Sequence, residues 1–189
     1  MFMINSLKNL SARAKAFMYR LILKRMGKNV EIHSGVKIFS PERVEMGDNV
    51  TIYENVLIYG GGNSGYVKMG DRSHIAPFSV INGEGGVVIG NKVAIGPGVK
   101  IYSISNTGDD HSIDIIDAPR NRKEIIIQDN VWIGANCVVV PGVKIGTGSI
   151  IGAGAVVIKD IPSNSVAVGV PAKVIRTRNA DHLNGRKNE

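Results

Sequence analysis

The chain carries a six-residue rhythm. "IGNKVAIGPGVKI" starts at Ile89 and "IGANCVVVPGVKIGTGSIIGAGAVVI" starts at Ile133. An aliphatic residue, usually followed by a small one, returns at Ile127, Ile133, Val139, Ile145, Ile151 and Val157. The same phase holds upstream at Ile89, Ile95 and Ile101, at Met69, Ile75 and Ile81, at Met46, Ile52 and Ile58, and at Met26, Ile32 and Ile38. A fixed short period marks units that cannot bury an apolar side alone and must stack on their neighbours.

A second column lies four residues on, at Val30, Val50, Ser73, Val93, Val131 and Ser149. Small and β-branched side chains two places before each aliphatic position suit the inward side of a short strand. Three such strands make one triangular coil, and stacked coils bury a continuous core. The coils start at Met26, Met46, Met69, Ile89, Ile127 and Ile145. Only the coil from Ile127 to Ile145 is a bare 18 residues; the extra residues follow Ile38, Ile58, Ile81 and Ile101, always the third hexad. The insertions are therefore expected along one prism edge. The longest, "SISNTGDDHSIDIIDAPRNRKE", interrupts the fourth coil from Ser103 to Glu124.

Composition limits the classes open to such a chain. Its 189 residues are 43% hydrophobic but only 5% aromatic, with 23 glycines, so the core is aliphatic and the corners are tight. The net charge is +7, and residues 1–30 supply all of it: seven Lys or Arg and no acid. The rest is neutral, which argues against a nucleic-acid surface on the fold. One cysteine excludes an internal disulfide and, with no signal-peptide pattern, fits a cytoplasmic protein.

The repeat together with "AVGVPAKVIR" resembles the hexapeptide-repeat acyltransferases, over roughly residues 26–176. Within them the chain is similar to the galactoside, maltose and other sugar O-acetyltransferases. The resemblance implies an all-β solenoid, a left-handed parallel β-helix, with acetyl-CoA as co-substrate and a homotrimer with sites between prisms. Residues 1–25 are expected as a basic amphipathic leader, helical over 5–25, with Leu7, Leu10, Ala14, Phe17 and Leu21 at helical spacing. That helix would cap the first coil, with weak contact to an anionic membrane surface as the alternative. Residues 177–189 read as a polar tail.

His111, in the longest insertion, is the expected general base, because imidazole titrates near neutral pH. Sugar acetyltransferases of this kind carry their catalytic histidine in the same loop, often before proline; here Ser112 follows. Asp109, Asp110, Asp114, Glu84 or a backbone carbonyl are the candidates to orient it. An oxyanion would be met by backbone N–H groups near Gly134 and Ala135. The acceptor side is expected at His74, Asn82 and Glu84. Ala76 stands where the family carries an asparagine, a departure from the galactoside and maltose pattern.

The donor is expected along the last coils. Gly152, Ala153 and Gly154 would let a pantetheine arm approach the backbone. Ile158 would flank it, Trp132 would pack beside it or at a subunit contact, and Lys159, Lys173 and Arg176 match family positions that meet nucleotide phosphates. Cys137 falls in the inward column and reads as a buried small hydrophobe rather than a nucleophile. His33, His74 and His182 lie in distant segments, so no metal site is expected. The activity implied is acetyl-CoA-dependent O-acetylation of a sugar hydroxyl, with cell-surface polysaccharide assembly as the expected setting. Aminosugar N-acetylation, xenobiotic acetylation and a non-catalytic trimeric scaffold are the alternatives.

Overall fold

In the computed structural model, which describes residues 16–62, 64–108 and 110–178, Met26, Met46, Met69, Ile89, Ile127 and Ile145 stand in register down one parallel sheet. Its six strands run from Arg25–Met26 to Lys144–Ile145. A second sheet aligns Ile32, Ile52, Ile75, Ile95, Ile133 and Ile151, and a third aligns Ile38, Ile58, Ile81, Ile101, Val139 and Val157. The chain visits the three sheets in turn, so it winds as a triangular solenoid of the expected coils. A two-residue strand presents one inward side chain; the three-residue strands present two in the first sheet and one in the third, and most of the aliphatic columns are fully buried.

The second column is buried as well, including Ser73 and Ser149. Their hydroxyls donate to the carbonyls of Gly90 (2.8 Å) and Pro162 (2.7 Å). Ser73 Oγ also accepts from the Val93 amide, at 2.9 Å. Among the described residues, every buried polar side-chain atom has a partner, as burial demands. Cys137 is fully buried, its thiol donates to the Gly152 carbonyl at 3.0 Å, and burial pushes its pKa up. That environment suits packing, not thiolate chemistry.

Three features depart from the sequence expectation. The helix ends at Arg20 instead of 25; residues 21–24 turn, and Arg25–Met26 already forms the first strand. The part expected over 5–15 lies outside the described residues. A seventh, shorter turn follows the sixth: Ile161 bridges Ile145, and Ala167 pairs with Ile151. The polar tail begins later than 177. Lys173–Thr177 is a strand antiparallel to Ser165–Val168, and the Arg178 guanidinium donates to the Gly148 carbonyl. This strand covers the edge of the second sheet, which blunts end-to-end pairing. Residues 179–189 lie outside the described residues.

Candidate active site

All four insertions leave the third sheet and return to the first, so they share one edge of the prism. They also brace one another. Arg43 donates to the Gly65 carbonyl, Tyr66 donates its hydroxyl to Glu124, and Glu84 faces Arg122 at 3.6 Å. The Glu124 carboxylate beside it and burial together hold the Tyr66 phenol proton, so its pKa is pushed up to about 12.

The longest insertion is a hairpin. Ile104–Asn106 pairs antiparallel with Arg120–Arg122, and Thr107 closes the stem on the Pro119 carbonyl through both its amide and its hydroxyl. Buried Ser103 anchors the base by donating to the Asn82 carbonyl (2.7 Å) and accepting from the Gly85 amide (2.8 Å). His111 sits exposed at the tip. Among the described residues nothing hydrogen-bonds or pairs with it. Asp110 is engaged elsewhere: its carboxylate accepts from the Ser112 hydroxyl and amide, which hold its pKa down. Glu84 is turned to Arg122. Asp109 lies outside the described residues, as does His182.

Asn82 is part of the bracing, because its side-chain oxygen accepts from the Glu84 amide at 3.0 Å. Ile158 and Lys159 leave the third sheet two coils beyond the hairpin, on the same edge, and both are exposed.

The remaining candidates lie on the outer face of the second sheet. His74, Ala94, Trp132 and Ile150 follow one another across its strands. Trp132 is 55% exposed, while burial lowers the His74 pKa and favours its neutral form. The corner beside Trp132 corrects part of the expectation. The Gly134 amide donates to the Ile151 carbonyl at 2.8 Å and is not available to an oxyanion. The Ala135 and Ala153 amides donate to no backbone carbonyl of the described chain. The corresponding corners of the third and fourth coils hold Pro77 and Pro97, which have no N–H to offer.

The glycines have different duties. A Cβ on Gly134 would lie 2.6 Å from the Ala153 nitrogen, and one on Gly152 would lie 2.7 Å from the Val168 side chain. Coil stacking requires these two. Gly154 has a left-handed φ of 72° and open space around it, which leaves room for a ligand. Lys173 and Arg176 are exposed on the covering strand beside this face.

Two features of the second-sheet face escape a sequence reading. His33 Nδ1 lies 3.0 Å from a Glu54 carboxylate oxygen; its ring is 5.0 Å from that of Tyr53, and Tyr53 is 6.0 Å from His74. Phe78 is 66% exposed, with φ of 62°, at a corner that Gly35, Asn55, Gly98, Asn136 and Gly154 fill in other coils. The alternation of faces was the signal for the first, since His33 and Tyr53 both follow inward isoleucines. Corner position was the signal for the second.

The candidate residues thus divide. His111, Glu84, Asn82, Ile158 and Lys159 occupy the edge between the third and first sheets. His74, Trp132, Lys173 and Arg176 belong to the second sheet, the face opposite that edge, and Ala135 and Ala153 to the corner where that sheet turns toward the third.

Residues 124–159 match the family model described as bacterial transferase hexapeptide (six repeats). The chain is 31% identical over 166 residues to the "Putative colanic acid biosynthesis acetyltransferase WcaF" of Escherichia coli, covering 88% of this chain and 76% of that protein. The chain belongs to the hexapeptide-repeat acetyltransferases. It is also 36% identical over 143 residues to the galactoside O-acetyltransferase of Escherichia coli, covering 71% of this chain and 64% of that one. Some curated relatives are matched over about half their length, at 42%, 55% and 44%. The fold is shared with AntD, an N-acyltransferase from Bacillus cereus solved with dTDP and 3-hydroxybutyryl-CoA. The TM-score is 0.77 and the identity 24%, covering 90% of this chain and 91% of that one.

Proposed function

We propose that the chain transfers the acetyl group of acetyl-CoA to a hydroxyl of a sugar, and that it does so as a homotrimer. The division of the site carries this reading. An edge bearing a base stands opposite a face bearing donor-side amides and cations, so a single prism does not close the site. A head-to-tail ring, in which each edge meets the second-sheet face of the next copy, does. The hairpin tip supports that assembly, because Ile115 and Ile116 beside His111 are 62% and 88% exposed and call for a covering surface.

The chemistry follows from the groups available. His111 takes the proton of the acceptor hydroxyl as its oxygen attacks the thioester carbonyl. The tetrahedral oxyanion accepts from the Ala135 amide. Its collapse breaks the carbon–sulfur bond, and the thiolate of coenzyme A leaves with the proton returned from the imidazolium. A positioned base contributes on the order of 10²–10⁴ in rate and one oxyanion donor roughly 10²–10³. Gly154 leaves space for the pantetheine arm, the Ala153 amide is placed to bond it, and Lys159, Lys173 and Arg176 meet the phosphates.

His74, Tyr53 and His33 offer ring faces to a sugar, and Glu84 a carboxylate to its hydroxyls. The names of the two Escherichia coli relatives support a saccharide acceptor within polysaccharide assembly. The test is acetyl-CoA with a panel of hydroxyl and amino sugars, read by free-thiol release and product mass. Acetylation of a sugar hydroxyl is expected. Turnover with amines alone, or with no acceptor of the panel, would overturn the reading.

A further inference from the structure

The helix turn at the start of the described chain is apolar on both sides. Ala16, Tyr19 and Leu23 face the first coil; Ala16 and Leu23 are buried, and Tyr19 packs against the core. This is the expected cap. The opposite side carries two more stripes at helical spacing, Phe17–Leu21 and Met18–Ile22. Their side chains are 67%, 76%, 68% and 50% exposed. A solvated helix face is normally polar, and a helix apolar all round normally has a second partner. Two cations follow these stripes in the chain, Lys24 in the turn and Arg25 at the start of the first strand, and both are exposed. Long basic side chains can lay their stems on apolar surface and hold the charge at its rim.

We infer that this face docks on an anionic lipid bilayer. Exposed apolar side chains followed at once by cations match the boundary between acyl chains and anionic headgroups. The wider charge agrees, since residues 1–30 hold seven cations and no acid. A second copy of the chain fits less well. A self-complementary contact would set Arg20 and Arg25 of one copy against those of the other, and like charges oppose it. Glu45 pairs with Lys24 at 2.9 Å and offsets one charge, while Arg20 keeps its charge as it donates to the Gly27 carbonyl. No helix among the described residues is long and apolar enough to cross a membrane, so the contact is with the surface. The helix caps coil one and the hairpin leaves coil four. At the usual strand spacing of about 4.8 Å, the hairpin's coil lies roughly 15 Å beyond coil one, with the helix between coil one and the lipid.

Flotation of the full chain with vesicles tests the proposal without any assay of activity. Binding is expected with phosphatidylglycerol–phosphatidylcholine vesicles at low salt, and not with phosphatidylcholine alone. High salt should weaken it by screening. Leu21→Ser with Ile22→Ser should weaken binding at least about tenfold, as should Lys24→Gln with Arg25→Gln. Circular dichroism and native mass should stay those of the parent for both pairs. Absence of flotation, or flotation indifferent to both pairs, would overturn the proposal. A changed native mass would assign the face to subunit contact and overturn it equally.

Discussion

The Glu84 carboxylate stands 3.6 Å from the Arg122 guanidinium and ties the third coil's insertion to the return strand of the His111 hairpin. The pair is partly exposed, so its value to global stability is small. Its value to position is larger, because it fixes the stem that carries His111, the proposed base. Arg122→Ala is expected to leave unfolding within about 1 kcal/mol of the parent and to lower kcat about tenfold, with the KM for acetyl-CoA unchanged. Arg122→Lys should recover part of the loss. An unchanged kcat in the alanine variant would show that the brace is idle.

Tyr66 and Glu124 make the second brace of this edge. The phenol pKa is raised from 10 to about 12 in the folded chain. The folded state therefore holds this proton where the unfolded state releases it. The stabilisation is complete below pH 10 and is lost as pH rises toward about 12. Tyr66→Phe should cost about 1 kcal/mol near neutral pH, a drop of roughly 2–4 °C in melting temperature. It should also flatten the alkaline fall of stability. Parallel alkaline profiles for parent and variant would contradict this.

Gly134 and Gly154 separate stacking from access. Gly134→Ala sets a methyl 2.6 Å from backbone, with no flexible side chain to give way. A cost of about 3 kcal/mol or more is expected in urea unfolding. Gly154→Ala meets nothing within 4 Å and strains only its φ of 72°, costing about 1–2 kcal/mol. Equal costs would refute the distinction.

The coils were legible because inward positions recur with one period, and each aliphatic column predicted from spacing is a sheet register. The insertions were legible as departures from that period. The seventh turn was not. Ile161 comes 16 residues after Ile145, Pro162 follows it, and Ala167 replaces the usual larger aliphatic. The end of the helix was hidden for a related reason. Its apolar spacing runs on through Leu21 to Leu23, while backbone pairing of Arg25 and Met26 with the next coil overrides it. The candidate site residues are those that a motif or a broken repeat marks. The His33–Glu54 pair spans two coils and carries no local motif.

Phe78 is the residue most at odds with local preference. A bulky side chain with φ of 62° is strained, and 66% exposure gives little burial in return. Phe78→Asn, the residue at two equivalent corners, should raise stability by about 1 kcal/mol. If the ring serves the second-sheet face, the same variant should raise the KM for the acceptor. A loss of stability would show that the ring is packed in the assembled protein.

The central claim is that His111 is the base. His111→Ala, assayed with the acceptor that the sugar panel identifies, measures it most directly. Acetyl transfer should fall by about 10²–10⁴, while native mass and coenzyme A binding stay those of the parent. Turnover near the parent rate in that variant would contradict the account.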